Sequence, residues 1–290
     1  MGSASLQTIL GLEASASGQT VLPFPTLVDP KGIAVDNGDV YVTDTIHKSV
    51  LKLAVGDAEP ITLPFNDLVD PRGIAVEAGD VYIADYGSSR VLKLAAGEST
   101  PTIVPLGELA APRGVAVENG NVYVTDTFNN RVLKLAPGES APTELPFNNP
   151  HNPSAIAVEN GNVYITDSDG RQVFELAAGA PAPTTLPFRA EAMIGGIAVH
   201  TGDVYVTDES NTYGGAGSLA GPGGTVRKIP AGATTSTMVP FQGFQGLDGV
   251  AVESGKVYVT DHAHRRVLVL PTSASASGPN TGSIALPFGH

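Results

Sequence analysis

The chain has 290 residues, with 29 acidic against 16 basic side chains and a formal net charge of −13. Such a field repels phosphate backbones and argues against general nucleic-acid binding, and no apolar run approaches the ~18 to 20 residues that a membrane-spanning helix needs. Cysteine is absent, which excludes disulfides, thiol chemistry and Cys-based zinc sites, and tryptophan is absent as well.

The first residues, Met1-Gly2-Ser3-Ala4, are not a basic segment followed by an apolar core. Residues 1–17 therefore read as a flexible N-terminal segment and not as a signal peptide. Membrane attachment of any longer parent protein would have to come from outside these residues. From residue 18 to residue 270 one block recurs: Gly-Ile-Ala-Val, a Gly turn, Val-Tyr-Val-Thr-Asp, a polar loop, Val-Leu-Lys-Leu, a second Gly turn, then Thr-x-Leu-Pro-Phe. Its anchors are Gly32, Gly73, Gly114, Ala155, Gly196 and Gly249, spaced by 41 residues except for the last step of 53. A repeat of about 40 residues with several strand signals per unit means a propeller or a solenoid.

Within each block four short apolar segments, punctuated by Gly, Pro, Asn and Asp, predict four strands. The first two are apolar at successive positions, as in Gly73 to Val76 and Val81 to Asp85, which suits strands covered on both faces. A Gly turn such as Asn37-Gly38-Asp39 or Asn119-Gly120-Asn121 joins them as a tight hairpin. The third strand (Val50 to Leu53, Val91 to Leu94, Val132 to Leu135) alternates apolar residues with Lys. The fourth carries Pro at Pro23, Pro64, Pro105, Pro146, Pro187, Pro240 and Pro287, which belongs on a sheet edge. Polarity rises from first strand to last, ordering them from an axis outward.

Six such sheets set radially predict an all-β fold, a six-bladed β-propeller with four antiparallel strands per blade. The Gly and Pro density excludes helical repeats, and the absence of Trp excludes a Trp-Asp-type propeller. Seven Leu/Val-Pro-Phe/Leu strands serve six inner cores. The N-terminal copy (Thr20 to Phe24) is placed at the outer edge of the last blade, closing the ring; the reversed assignment gives that place to the C-terminal copy. The C-terminal copy (Ser283 to Phe288) then follows a Ser/Gly-rich linker in residues 271–290.

These units resemble the NHL-repeat propellers, with blade three the nearest: Pro112-Arg113-Gly114-Val115-Ala116-Val117, Val122 to Asp126 and Asn129-Asn130-Arg131-Val132. Departures are Ala155 in place of the anchor Gly, a fifth blade without the Pro, and His47-Lys48-Ser49 in place of Asn-x-Arg. The recurrent Leu-Pro-Phe and Val-Leu-Lys-Leu-Ala-x-Gly segments are most similar to the extracellular sensor domains of PknD-type bacterial receptor serine/threonine kinases. That resemblance implies a non-catalytic module on the extracellular or cell-envelope side of a bacterial membrane. It would bind an unknown small molecule, glycan or protein, without cofactor or metal. NHL propellers also include RNA-binding proteins and lyases, so the alternative is a metal-dependent propeller lyase or hydrolase of the streptogramin-lyase kind. A structural adhesive scaffold is a third reading.

Asp44, Asp85, Asp126, Asp167, Asp208 and Asp261 recur at the end of each second strand, around the channel mouth. One Asp per blade at one fixed position suits a fold-defining turn, with Arg90, Arg131 and Arg266 in reach; ligation or general-base work would break the symmetry. Binding residues are therefore sought where the repeat is irregular. The residue before each anchor is Lys31, Arg72, Arg113, Ser154, Gly195 and Asp248 in turn, which puts cations on three consecutive blades at the top of the channel. They would hold an anionic group through charge-assisted hydrogen bonds, or else only neutralise the Asp ring. The extra residues 213–224 fall in the top loop of blade five, as a partner-contact loop anchored by Tyr213 and Leu219 or as a neutral insertion. His47, His151, His262 and His264 lie on the same face, and His151 and His262 join the predicted binding set. Nothing in the His spacing enforces a metal site, and no Gly-x-Ser-x-Gly nucleophile elbow occurs, so no catalytic residue is assigned.

Overall fold

The computed structural model describes residues 18–188, 193–209 and 224–272, and these form six four-stranded antiparallel sheets. The pattern is set by the first repeat: β1 (Thr20–Val21), β2 (Pro30–Asp36), β3 (Asp39–Asp44), β4 (Ser49–Leu53) and β5 (Ile61–Thr62). The order β2-β3-β4-β5 makes the first blade, and each later repeat copies it. The innermost strands of neighbouring blades touch in sequence, and the sixth (Leu247–Glu253) returns to β2, which closes the ring.

Both central residues of the first hairpin, Asn37 and Gly38, have positive φ (53° and 85°). This is the type I′ turn whose twist matches the flanking strands. The second strand is the buried one: in β3 every residue after Asp39 is buried. The first strand is only partly buried, because its inner side faces the channel where no neighbouring sheet covers it.

The outermost strand differs from its expected form. It spans only Ile61–Thr62, and Pro64 lies beyond it. Leu63 N–H makes the last ladder bond to Val50 O at 2.9 Å, and Phe65 N–H then bonds back to Leu63 O at 2.8 Å. This is a three-residue turn whose central φ proline already holds. The proline therefore ends the strand and swings Phe65 into the seam, where it packs with Tyr41 and Val50 of blade one and Ile74, Val81 and Ile83 of blade two. Burying such a ring contributes about 1.5–3 kcal/mol.

Two polar devices recur at the seams. Thr43 Oγ1 accepts from Gly32 N–H and donates to Arg72 O of the next blade, both at 2.8 Å. Thr125 and Thr260 repeat it, and Ala84 in blade two has no hydroxyl to offer. At the opposite end of the blades, Glu77 accepts from Asn119 N–H (2.5 Å) and Gly120 N–H (2.8 Å) of the following hairpin. Glu118, Glu159 and Glu253 do the same for their neighbours.

Closure comes from the N-terminus, as expected. β1 pairs antiparallel with the last strand, Arg266–Pro271, through Thr20 with Val269 and Val21 with Leu268. Buried Gln19 adds a reciprocal clamp on the Gln242 backbone, donating from Nε2 to its carbonyl (3.0 Å) and accepting its N–H at Oε1 (2.9 Å). The C-terminal Leu-Pro-Phe copy lies outside the described residues, as does Tyr213 in the blade-five insertion.

Candidate functional site

Every innermost strand carries a β-bulge at the same place. In blade one Pro30 pairs with Asp44 and Ile33 with Val42, so Lys31 and Gly32 together face Thr43 alone. The other blades break register identically. A bulge bends its strand and re-aims one side chain. Here that side chain is the residue before the anchor, and the threonine hydroxyl holds the N–H of the anchor itself.

The bulges bring Lys31, Arg72, Arg113, Ser154, Gly195 and Asp248 to the rim of one axial cavity of about 310 Å³. The anchors form the next layer, and Ile33, Ile74, Val115, Ile156, Ile197 and Val250 line it below. One sequence position thus supplies a polar rim and the position two residues on an aliphatic floor. The anchors must be small: an ideal Cβ at Gly32 would lie 2.2 Å from Arg72 O, and one at Gly73 2.4 Å from Arg113 O.

On the rim, Asp248 Oδ2 takes Lys31 Nζ at 3.0 Å and His262 Nδ1 at 2.6 Å, while Lys31 also reaches Asp29 at 3.2 Å. Burial works against the Lys31 ammonium, but Asp248 and then Asp29 outweigh it and raise its pKa above 10.5. Arg72 forms a two-pronged pair with Asp70 (3.1 and 3.0 Å) and lies 3.9 Å over the Tyr86 ring, which meets exposed Phe128 edge to face at 5.9 Å. In blade four, Ser168 donates to Ser154 Oγ, which in turn bonds Thr166 Oγ1, both at 2.8 Å, and all three hydroxyls are buried.

The six recurring Asp residues stand behind this rim and not in the cavity wall. Asp44, Asp85, Asp126 and Asp261 are fully buried. Asp44 accepts Val28 N–H and Asp29 N–H at 3.0 Å, Asp85 takes Val69 and Asp70, Asp126 takes Ala110, Asp167 takes His151, and Asp261 takes Gln245. Asp208 is buried too. Arg131 and Arg266 reach this ring at 2.8 and 2.9 Å. The rim cations Lys31 and Arg72 do not neutralise the ring; their partners are Asp29, Asp70 and Asp248.

His262 lines the cavity, whereas the His151 side chain is exposed and does not. His47 and His264 bind Asp44 and Asp261 at 2.9 Å instead of facing the channel. Among the described residues no three His, Asp or Glu side chains converge on a point where a metal would sit, and no helix is long and apolar enough to cross a membrane. The bulges, the seam threonines and the Glu clamps went unread in the sequence. Their signal was present as recurrence at 41 residues, as in Glu77, Glu118 and Glu159.

The NHL repeat family matches residues 68–94 and 109–135, the cores of blades two and three. The chain carries NHL repeats. No curated protein sequence matches it. Its structural neighbours include a gluconolactonase from Xanthomonas campestris, at 14% identity over 88% of this chain and 89% of that one, TM-score 0.67. A catalytically inactive virginiamycin B lyase from Staphylococcus aureus with quinupristin matches at 13% identity over 89% and 86%, TM-score 0.61. A PQQ-bound aldose sugar dehydrogenase from Streptomyces coelicolor matches at 17% over 87% and 97%, TM-score 0.61. At such identities the likeness extends to the fold alone. It nonetheless corrects the expectation that this NHL propeller is not an enzyme. The neighbours are mostly enzymes by name, among them a lactonase, a lyase and a dehydrogenase. The body of a propeller is therefore no ground for excluding catalysis.

Proposed function

We propose that this propeller is a recognition domain that binds a small ligand with an anionic group in the cavity at its top mouth. One observation carries the reading: three consecutive blades turn Lys31, Arg72 and Arg113 into a cavity whose wall contains one carboxylate, Asp248, in a chain of net charge −13. Arg72 spends two of its five N–H groups on Asp70 and lies against Tyr86, so its direction is fixed before a ligand arrives. Pre-ordering of this kind lowers the entropy cost of binding, and hydrogen bonds to charged groups contribute about 1.5–3 kcal/mol each. The setting we propose is the sensor of a bacterial receptor kinase or related envelope protein, with the domain on the outer side of the membrane. That part rests on the resemblance of its outer-strand segments to such sensors.

Calorimetric titration with a panel of small carboxylates and phosphate esters tests the site. At least one should bind, and Arg72→Ala with Arg113→Ala should weaken it by tenfold or more in a protein that melts normally. Unchanged affinity in the double variant would remove the reading. The His262–Asp248 pair, 2.6 Å apart at the cavity wall, favours a second reading in which imidazole serves as a general base toward the bound ligand. Following the same titrations for product, with His262→Gln as the comparison, separates turnover from binding alone.

A further inference from the structure

The rim is divided by sign. Donors occupy blades one to three as Lys31, Arg72 and Arg113, and the other half offers Ser154, the bare Gly195 and Asp248. In ring order, Lys31 stands across from Ser154 and Arg113 across from Asp248.

The proton arrangement in blade four fixes what Ser154 can do. Thr166 Oγ1 accepts Ala155 N–H at 2.9 Å and directs its own proton toward Gly195 O, 3.4 Å away, in the register in which Thr43 bonds Arg72 O. Ser154 then donates to Thr166 and accepts from Ser168. Each hydroxyl has one proton, so toward the cavity Ser154 has acceptor capacity only. Asp248 adds a negative pole on the same side. Between them Gly195 adds no side chain.

From this polarity we infer that the ligand is a small zwitterion with an apolar side chain, of the α-amino-acid type. The inference rests on the anion-binding reading above and narrows its ligand class. The carboxylate takes the N–H groups of Arg72 and Arg113, the ammonium takes Ser154 and Asp248, and the side chain sits on the Ile33, Ile74 and Ile197 layer. The volume agrees: about 310 Å³ against ~30 Å³ for each water in liquid leaves room for roughly ten non-hydrogen atoms. Asp248 already takes Lys31 and His262, so the ammonium would join that charged cluster, while a monoanion would leave the remaining acceptor capacity of Ser154 unused.

Four probes decide the matter by calorimetry on the intact chain: L-leucine, glycine, 4-methylpentanoate (the same skeleton without the ammonium) and 3-methylbutylamine (without the carboxylate). L-Leucine should bind at least tenfold tighter than each of the other three. Asp248→Asn should shrink its advantage over 4-methylpentanoate to less than about threefold, with thermal melting confirming that the variant folds. If 4-methylpentanoate binds as tightly as L-leucine, the zwitterion inference fails and the anion site stands. Tightest binding by 3-methylbutylamine would overturn both, as would no binding by any of the three carboxylate-bearing probes together with no anion bound in the wider panel.

Discussion

Replacing Gly32 with alanine probes the close approach that shapes the channel mouth. The added Cβ would lie 2.2 Å from Arg72 O and 3.0 Å from Ile74 Cγ2, and ordinary contact begins at 3.4 Å, so blade two must retreat by about 1.2 Å. The retreat opposes the 2.8 Å bond from Thr43 Oγ1 to the same carbonyl. Overpacking of this kind costs about 1–3 kcal/mol and the strained hydrogen bond about 1 kcal/mol more. The narrower unfolded ensemble of alanine returns about 0.4–1 kcal/mol. The net loss is about 1–3.5 kcal/mol, which for a chain of this size lowers the melting temperature by about 2–6 °C. Gly196 has more room, with its nearest contact 2.7 Å from Asp248 O, so Gly196→Ala should lose about half as much. Scanning calorimetry of the two variants measures both. A Gly32→Ala protein melting within about 1 °C of the parent, or one more stable than Gly196→Ala, would refute the steric account of the anchor ring.

Two further outcomes follow from other parts of the ring. Gln19→Ala removes both bonds to the Gln242 backbone and should cost about 1–3 kcal/mol, with the N-terminal strand becoming open to proteolysis; unchanged melting and cleavage would mean that this clamp does not hold the ring shut. Asp39, Asp80 and Asp203 should make the protein acid-sensitive. Burial raises their pKa values, but the hydrogen bonds from Lys52, Lys93 and Lys228 and from the Val55, Ala96 and Ala231 N–H groups outweigh it, so all three fall below 3.8. A carboxyl with a lowered folded pKa stabilises the protein above its unfolded value and loses that contribution as pH falls through the folded one. Melting temperature should therefore drop below about pH 4, and Asp39→Asn, Asp80→Asn and Asp203→Asn combined should flatten that drop. An equally steep decline in the triple variant would assign acid unfolding to other groups.

The sequence by itself determined the blade count and the strand order, while the pairing of β1 with the last strand decided which terminal copy closes the ring. Recurrence at 41 residues makes every repeat solve the same packing problem, but it supplies a spare outer strand at each terminus and does not choose between them. The polar rim was legible as a list of residues, Lys31 to Asp248, because it breaks that recurrence. Only the tertiary structure decided how those residues meet. The bulge that turns Lys31 into the mouth is a register shift between β2 and β3, and a register shift leaves no mark in composition. The pairing of Lys31 with Asp248 was not legible for a related reason. Asp248 stands 217 positions from Lys31, and their contact exists only because the last blade closes against the first. Sequence periodicity records what every blade must do; ring closure alone sets which irregular side chains become neighbours.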